Sequence, residues 1–460
     1  MDCYLDCFPN KPTVVRYKLN FLLFKQSVAR KNSCLFCSHF IDRTKKCKSY
    51  SFAHSSVAAV NRIALTSLSR ETTWNAPFQG PGLIFCHSED RYAFDSKQIG
   101  GPIVLKELEE HEETIWKMWY YGRSIGFSSK SNLVDLPTGC IGYATSKDGI
   151  QWNRMSGLEE QGSVLAPNRN NEADFDSAHI GVSDVVLRKI ESDLANYNVY
   201  HLYYFGGSNA ISTVQIATSH EKRKRLDVVG LKMLPGLAIS TDGFQFTRIR
   251  GDCKDGALLP VAPHKDFDSL YCGWPRIVTL DDSHYMMYYH GLDPSSGMFV
   301  VGMAISPDGF SRWRKLGPLR GLGWENDKFA RPGAFDERGW GTRHVIKNPS
   351  DPTKWLMFFE AVSRKGVHSI GIATSQDGLT WSRLVDYPIL VPGDDQVQDS
   401  WDSGAIGCPH AVIQQDKSIW LYYVGFERKE HGGSFRRTGI GLAFSEGADY
   451  TRFRKYKDIQ

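Results

Sequence analysis

The chain has 460 residues, 41% of them apolar and 23% charged, a balance that supports a packed core and excludes wholesale disorder, collagen and coiled coil. No apolar run approaches the roughly 18–20 residues of a membrane span; the longest candidate is Leu19–Phe24. The net charge of +4 is uneven: residues 1–70 hold 12 basic and 3 acidic residues, leaving 43 basic against 48 acidic in the remainder, and so slightly acidic a body excludes a nucleic-acid partner on electrostatic grounds.

Residues 1–70 contain no Glu, nine Ser and scattered Lys and Arg. This composition is that of an organelle transit segment, plastid stroma first and mitochondrion second, with an unstructured basic arm as the plain alternative. The single apolar core of a secretory signal is missing. Cys34-Leu-Phe-Cys37 is a lone CxxC without a second pair. The body keeps Cys86, Cys140, Cys253, Cys272 and Cys408, an odd and scattered set that reads as reduced thiols.

From residue 71 onward a pattern recurs five times. Each unit opens on an aromatic-Asp segment ending in Gly: Phe94–Gly100, Phe175–Gly181, Phe267–Gly273, Phe335–Gly341 and Trp401–Gly407. A short β-rich run follows, then an aromatic strand: Trp116–Tyr121, Tyr200–Phe205, Tyr285–Tyr289, Trp355–Phe359 and Trp420–Val424. A Gly-led strand then runs into a turn, as in Gly142–Gly149, Gly236–Gly243, Gly302–Gly309 and Gly371–Gly378, with Gly441–Gly447 a degenerate fifth. Asp-Gly at these turns tolerates positive φ and marks a hairpin. A closing strand carries an aromatic residue with a basic one two positions on, from Trp152/Arg154 to Phe453/Lys455.

Four strands per unit cannot bury both faces of a lone sheet, whereas five such sheets stacked radially can. The expected fold is therefore all-β: a five-bladed β-propeller of four-stranded antiparallel blades over residues 71–460. The basic insertion near Glu221–Leu234 is expected to be a surface loop.

The pattern Ala-Thr-Ser-x-Asp-Gly-x-x-Trp at Ala144–Trp152, with Tyr120-Tyr-Gly122 and the Phe-Asp-Ser openings, resembles the five-bladed glycosidase superfamily over about residues 80–456. That group includes arabinanases and xylosidases of glycoside hydrolase family 43, invertases, levansucrases and the mannoside phosphorylases of family 130. The resemblance implies a ligand site in a central depression lined by the starts of the innermost strands. It also implies a plant plastid-type member of the group, in keeping with the arm.

Two and three positions after the shared Gly stand Pro102/Ile103, Ser183/Asp184, Pro275/Arg276, Arg343/His344 and Pro409/His410. Asp184, Arg276, Arg343, His344 and His410 are thus expected to converge on one axis. Arg123, His290, Glu360, Glu427 and Arg428, at the ends of the second strands, are expected at the same rim, with Trp274 and Trp340 beside them as candidates for stacking on a sugar.

Glycoside hydrolysis needs two carboxylates flanking the bond. Hydrolytic members of the superfamily place an Asp on the first inner strand, where this chain has Gly101-Pro102-Ile103. Asp184 with Glu360 or Glu427 stands in as the candidate pair. One acid among Arg276, Arg343, His344 and His410 equally resembles the phosphorylase plan, with inorganic phosphate held by Arg forks. A propeller without catalysis, binding a sugar (phosphorylated or not) or a protein partner, has the same composition. His344 and His410 lack a spaced third partner, so no metal and no cofactor is expected. The repeated Asp95, Asp176, Asp268, Asp336 and Asp402 are expected to hold turns through Asx-type bonds, since fivefold recurrence is structural. Asp184 has two readings, a proton donor or a salt bridge to Arg276 or Arg343. No Walker, Rossmann, HExxH or GxSxG motif is present.

Overall fold

Alternating aromatic and β-branched residues, cut by Ser-x-Asp-Gly, leave the body of the chain little choice but short strands joined by tight turns. In the computed structural model the described residues are 78–457 without 109–113, 128–131, 191–196, 218–222, 264, 282–283, 323–331, 394–399 and 429–436. The expectations for the arm lie outside them.

Five antiparallel sheets form in chain order. Their innermost strands are Gln98–Leu108, His179–Ile190, Gly273–Asp281, Trp340–Asn348 and Ala405–Ile413. Each touches the next, and the fifth touches the first, so the ring is closed. This is a five-bladed β-propeller. In blade 5 the outermost position is shared: Leu83–Cys86, from the start of the described chain, and Asp449–Lys455, from its end, both pair with Thr438–Glu446. The segment expected as a basic surface loop is instead a β-hairpin, Ile211–Ala217 with Arg223–Val229. Backbone pairing satisfies in regular form the donors and acceptors that an irregular loop would leave to water.

The repeated acids, expected to hold turns, instead bind side chains of their own blade. Asp95 accepts from Tyr120 Oη at 3.0 Å and Arg154 Nε at 2.9 Å. Asp176 accepts from Tyr204 and Arg248, Asp268 from Tyr289 and Lys315, and Asp402 from Tyr423 and Lys455. Asp336 takes Trp340 and Arg383. Each acid therefore ties the opening of its blade to the outer strand, which explains the basic residue recurring after the closing aromatic. The Asp-Gly turns also repeat as expected: Asp148 Oδ1 accepts from Ile150 N and Gln151 N at 2.8 Å, and Gly149 takes φ 76°.

A second bond joins neighbouring blades. Trp119 Nε1 of blade 1 donates to the Gly243 carbonyl of blade 2 at 2.8 Å, Tyr203 Oη to Gly309 at 3.0 Å, Tyr288 Oη to Gly378 at 2.8 Å, and Tyr422 Oη of blade 5 to Gly149 of blade 1 at 2.9 Å. Blade 4 has Phe358 at this position, which has no donor to give to blade 5.

Candidate functional site

Each inner strand carries a bulge at the same height, with one residue more than its partner strand. The bulge turns the next side chain toward the axis. Those residues are Ile103, Asp184, Arg276, His344 and His410, each three positions after the shared Gly and each paired with the same position of the second strand, Trp119, Tyr203, Tyr288, Phe358 and Tyr422. Arg343 stands one position before His344, because the bulge of blade 4 comes one residue earlier. Within the bulges Gly101, Trp274 and Cys408 have φ of 59°, 53° and 49°. A Trp and a Cys in the left-handed region are held there against their intrinsic preference.

Asp184, buried, accepts from Ile277 N at 2.7 Å and Val185 N at 2.9 Å, and its Oδ1 lies 3.6 Å from Arg276 Nη1. Of its two readings the geometry therefore contains the salt bridge to Arg276. Burial outweighs these contacts and pushes the Asp184 carboxyl up. Arg276 also meets His410 Nδ1 at 3.1 Å and donates to the Pro409 carbonyl at 3.3 Å. His410 Nε2 faces the Val104 carbonyl at 2.9 Å, so that nitrogen bears the hydrogen and Nδ1 accepts from Arg276. Burial, with Arg276 alongside, brings His410 down to about 3.

His344 belongs to the same ring of side chains. Its ring stacks on His410 with centroids 4.2 Å apart, and its Nδ1 accepts from Ala411 N. Burial and the neighbouring His410 hold it well below the ordinary imidazole range. Arg343, with no exposed surface, donates from Nη2 to the Trp274 carbonyl at 2.8 Å and to His290 Nδ1 at 2.9 Å. His290 is held neutral by burial and by Arg343. Trp274 packs on His290 and on Phe205, with centroids 4.8 and 4.2 Å away, and walls the hub. Trp340 is core instead: it is buried, stacks on Phe359 at 3.6 Å and donates to Asp336.

Glu360 lies beside the hub. It accepts from the Thr342 hydroxyl and meets His368 Nδ1 at 2.6 Å. Despite burial, these partners hold the Glu360 carboxyl low and raise His368, so the pair is ionic. The remaining rim residues are not brought together with it. Arg123 donates to the Thr138 and Val134 carbonyls of its own blade's connection. Glu427 is paired with Arg437. Arg428 lines a cleft of about 320 Å³ between blades 4 and 5, with Phe335, Ser363, Ser369, Pro388 and Ser403. His368 sits in sequence between Val367 and Ser369, two of the residues lining that cleft.

Sequence reasoning missed Cys408, Thr342, Ser183 and His368. Cys408 Sγ lies 3.4 Å from Tyr121 Oη, and Cys408 N donates to Thr342. With Arg276 and Arg343, the small residues Cys408, Thr342 and Ser183 line a hub cavity of about 10 Å³, the space open to the centre of a water. Their signal was position alone: Cys408 directly follows the shared Gly. Among the described residues no group of three His, Cys, Asp or Glu side chains is placed to hold a metal ion.

No family model matches the sequence. Two uncharacterised proteins of Mycobacterium tuberculosis, Rv1502 and MT1551, are 27% and 28% identical over 217 residues, 46% of this chain. The match spans 60% of the length of these curated relatives. Similar solved structures include an N-acetylgalactosamine deacetylase from F. plautii in complex with blood group B trisaccharide, 15% identical, covering 80% of this chain and 94% of that one, with a TM-score of 0.50. They also include a family 130 glycoside hydrolase described as targeting β-1,2 mannosidic linkages in Candida mannan, 17% identical over 80% of this chain and 95% of that one, TM-score 0.46, and a thermostable family 43 glycoside hydrolase, 15% identical over 78% and 93%, TM-score 0.48. At these identities the likeness is one of fold.

Proposed function

We propose that this propeller is carbohydrate-active and breaks a glycosidic bond. The observation that carries the reading is a pair of carboxyl groups displaced in opposite directions. Burial raises Asp184, the direction a proton donor needs, while His368 and Thr342 lower Glu360, the direction a base needs. Environments that separate two carboxyls in this way assign the acid and the base of a hydrolysis. Asp184 would protonate the departing glycosidic oxygen as that bond breaks. Glu360 would take the proton of the water that adds to the sugar carbon. In phosphorolysis inorganic phosphate takes the place of the water. The fold shared with a deacetylase that holds a trisaccharide supports a sugar as ligand.

A second reading is a sugar-binding propeller without turnover. It is favoured by the closed state of the hub, where both Asp184 oxygens are engaged and the free space is about 10 Å³. Full-length protein assayed on a glycoside panel, with and without phosphate, separates the two. Under the catalytic reading wild type turns over at least one substrate, and Asp184→Asn and Glu360→Gln each lose about 10²-fold or more in kcat. Saturable sugar binding by calorimetry, with wild type and both variants equally inert, leaves the binding reading and removes the catalytic one.

A further inference from the structure

Arg343 differs from every other charged group of the hub. One of its nitrogens, Nη2, has acceptors, whereas Nε and Nη1, both buried, have none among the described residues. A buried donor left unpaired costs about 1–3 kcal/mol, and more when charged. These nitrogens belong to a side chain that lines the hub cavity with Arg276, Ser183, Thr342 and Cys408.

The local charges do not cancel. Asp184 is matched to Arg276, and Glu360 to His368. Arg343 has no carboxylate of its own among the described residues. Thr342 is uncharged, and its hydroxyl already donates to Glu360 and accepts from Cys408 N. The polar side chains that line this space are two guanidiniums, an indole, two hydroxyls and a thiol.

We propose that the hub cavity is a site for one small monatomic anion, a halide such as chloride, held by Nε and Nη1 of Arg343 with Arg276 beside it. Water would satisfy the N–H groups but leave the charge uncompensated in a low-dielectric setting. About 10 Å³ of such space accommodates a single water-sized occupant. A tetrahedral phosphate, with four oxygens around phosphorus, is several times larger. Burial and the proximity of Arg276 draw Arg343 down to about 9, and an anion in contact opposes that shift. The site goes beyond the function proposed above, and its test uses no turnover.

The test is thermal unfolding of the full chain in sodium chloride, bromide, gluconate and phosphate at matched ionic strength. Chloride and bromide are expected to raise the midpoint along a saturating curve by about 2–4 °C over gluconate, and Arg343→Gln is expected to abolish the difference. Bromide-soaked crystals of the wild type, which need no variant to fold, are expected to show an anomalous peak within hydrogen-bonding reach of Arg343 Nε and Nη1. Equal midpoints in chloride and gluconate, a halide response retained in Arg343→Gln, an anomalous map empty at the hub, or a phosphate response exceeding that of chloride would each overturn the proposal.

Discussion

His410 and Glu360 give the hub opposite responses to pH. His410 is neutral when folded and titrates only near 3, whereas an unfolded histidine takes its proton near 6.5. As pH falls from about 6.5 toward 3 the unfolded state binds the extra proton and stability is lost. His290 and His344 are lowered too and act in the same direction. His368 is raised, so its contribution is complete below about 6.5 and fades as pH rises through its folded value. Glu360 is lowered, so its contribution is present above the ordinary carboxylate range and fades in acid. The Glu360–His368 pair therefore stabilises most in mildly acidic solution, where the three neutral imidazoles already destabilise. The denaturant midpoint of the wild type is expected to fall between pH 7 and pH 5. His410→Gln, which keeps a donor and an acceptor but cannot titrate, is expected to recover on the order of 2 kcal/mol of that loss. An unchanged acid slope in the variant would assign the loss elsewhere. The charged members of this knot were legible from the sequence because Asp, Arg and His stood out in a column otherwise filled by Ile. Arg123 and Glu427 were misjudged because counting to a strand end locates a Cα, and a long side chain can then turn to the nearest carbonyl or cation.

At the level of the strand, the bulge decides which residue faces the axis. Counting three residues from the shared Gly gives the facing residue in all five blades, because each pairs with the same position of the second strand. In blade 4 the bulge itself comes one residue earlier, a shift that cannot be read from the motif because it depends on which residue of the strand first finds its partner. Small neutral residues such as Cys408 and Thr342 carry no chemical signature of their own, so they emerged only with the geometry. Gly101 shows what the bulge demands. It sits at φ 59°, and an added Cβ would lie 2.1 Å from the Tyr121 ring. Gly366 has φ 74° with nothing within 4 Å of an added Cβ. In chemical denaturation Gly101→Ala is expected to lose about 1–3 kcal/mol from overpacking on top of backbone strain, and Gly366→Ala about 1 kcal/mol from strain alone. Equal losses would mean that the contact with Tyr121 relaxes freely.

The whole ring was readable because its punctuation repeats: an aromatic-Asp opening, an aromatic strand, an Asp-Gly turn and a basic closing residue. Its fastening was not. Leu83–Cys86 is four residues long, too short to show alternation, and its partner lies at the far end of the chain. The degenerate fifth turn acquires a meaning in the folded molecule. The neighbouring blade offers it Phe358, the one position of its kind without a donor, so the bond that joins the other neighbours is absent between blades 4 and 5. One such bond is worth about 0.5–1.5 kcal/mol. In native-state hydrogen exchange the turn amide of Gly447 is expected to exchange about tenfold faster than that of Gly149, Gly243, Gly309 or Gly378. Equal protection at all five would show that the apolar contact of Phe358 with Phe453 substitutes fully.

A closed loop with four buckled joints and one plain one has a preferred place to flex. Small tilts of the sheets gather at that joint instead of spreading evenly around the circle, and the joint borders the crevice where Arg428 stands. An occupant arriving there meets the most yielding wall of the protein, while the charged knot on the axis, braced by the other four, keeps its shape.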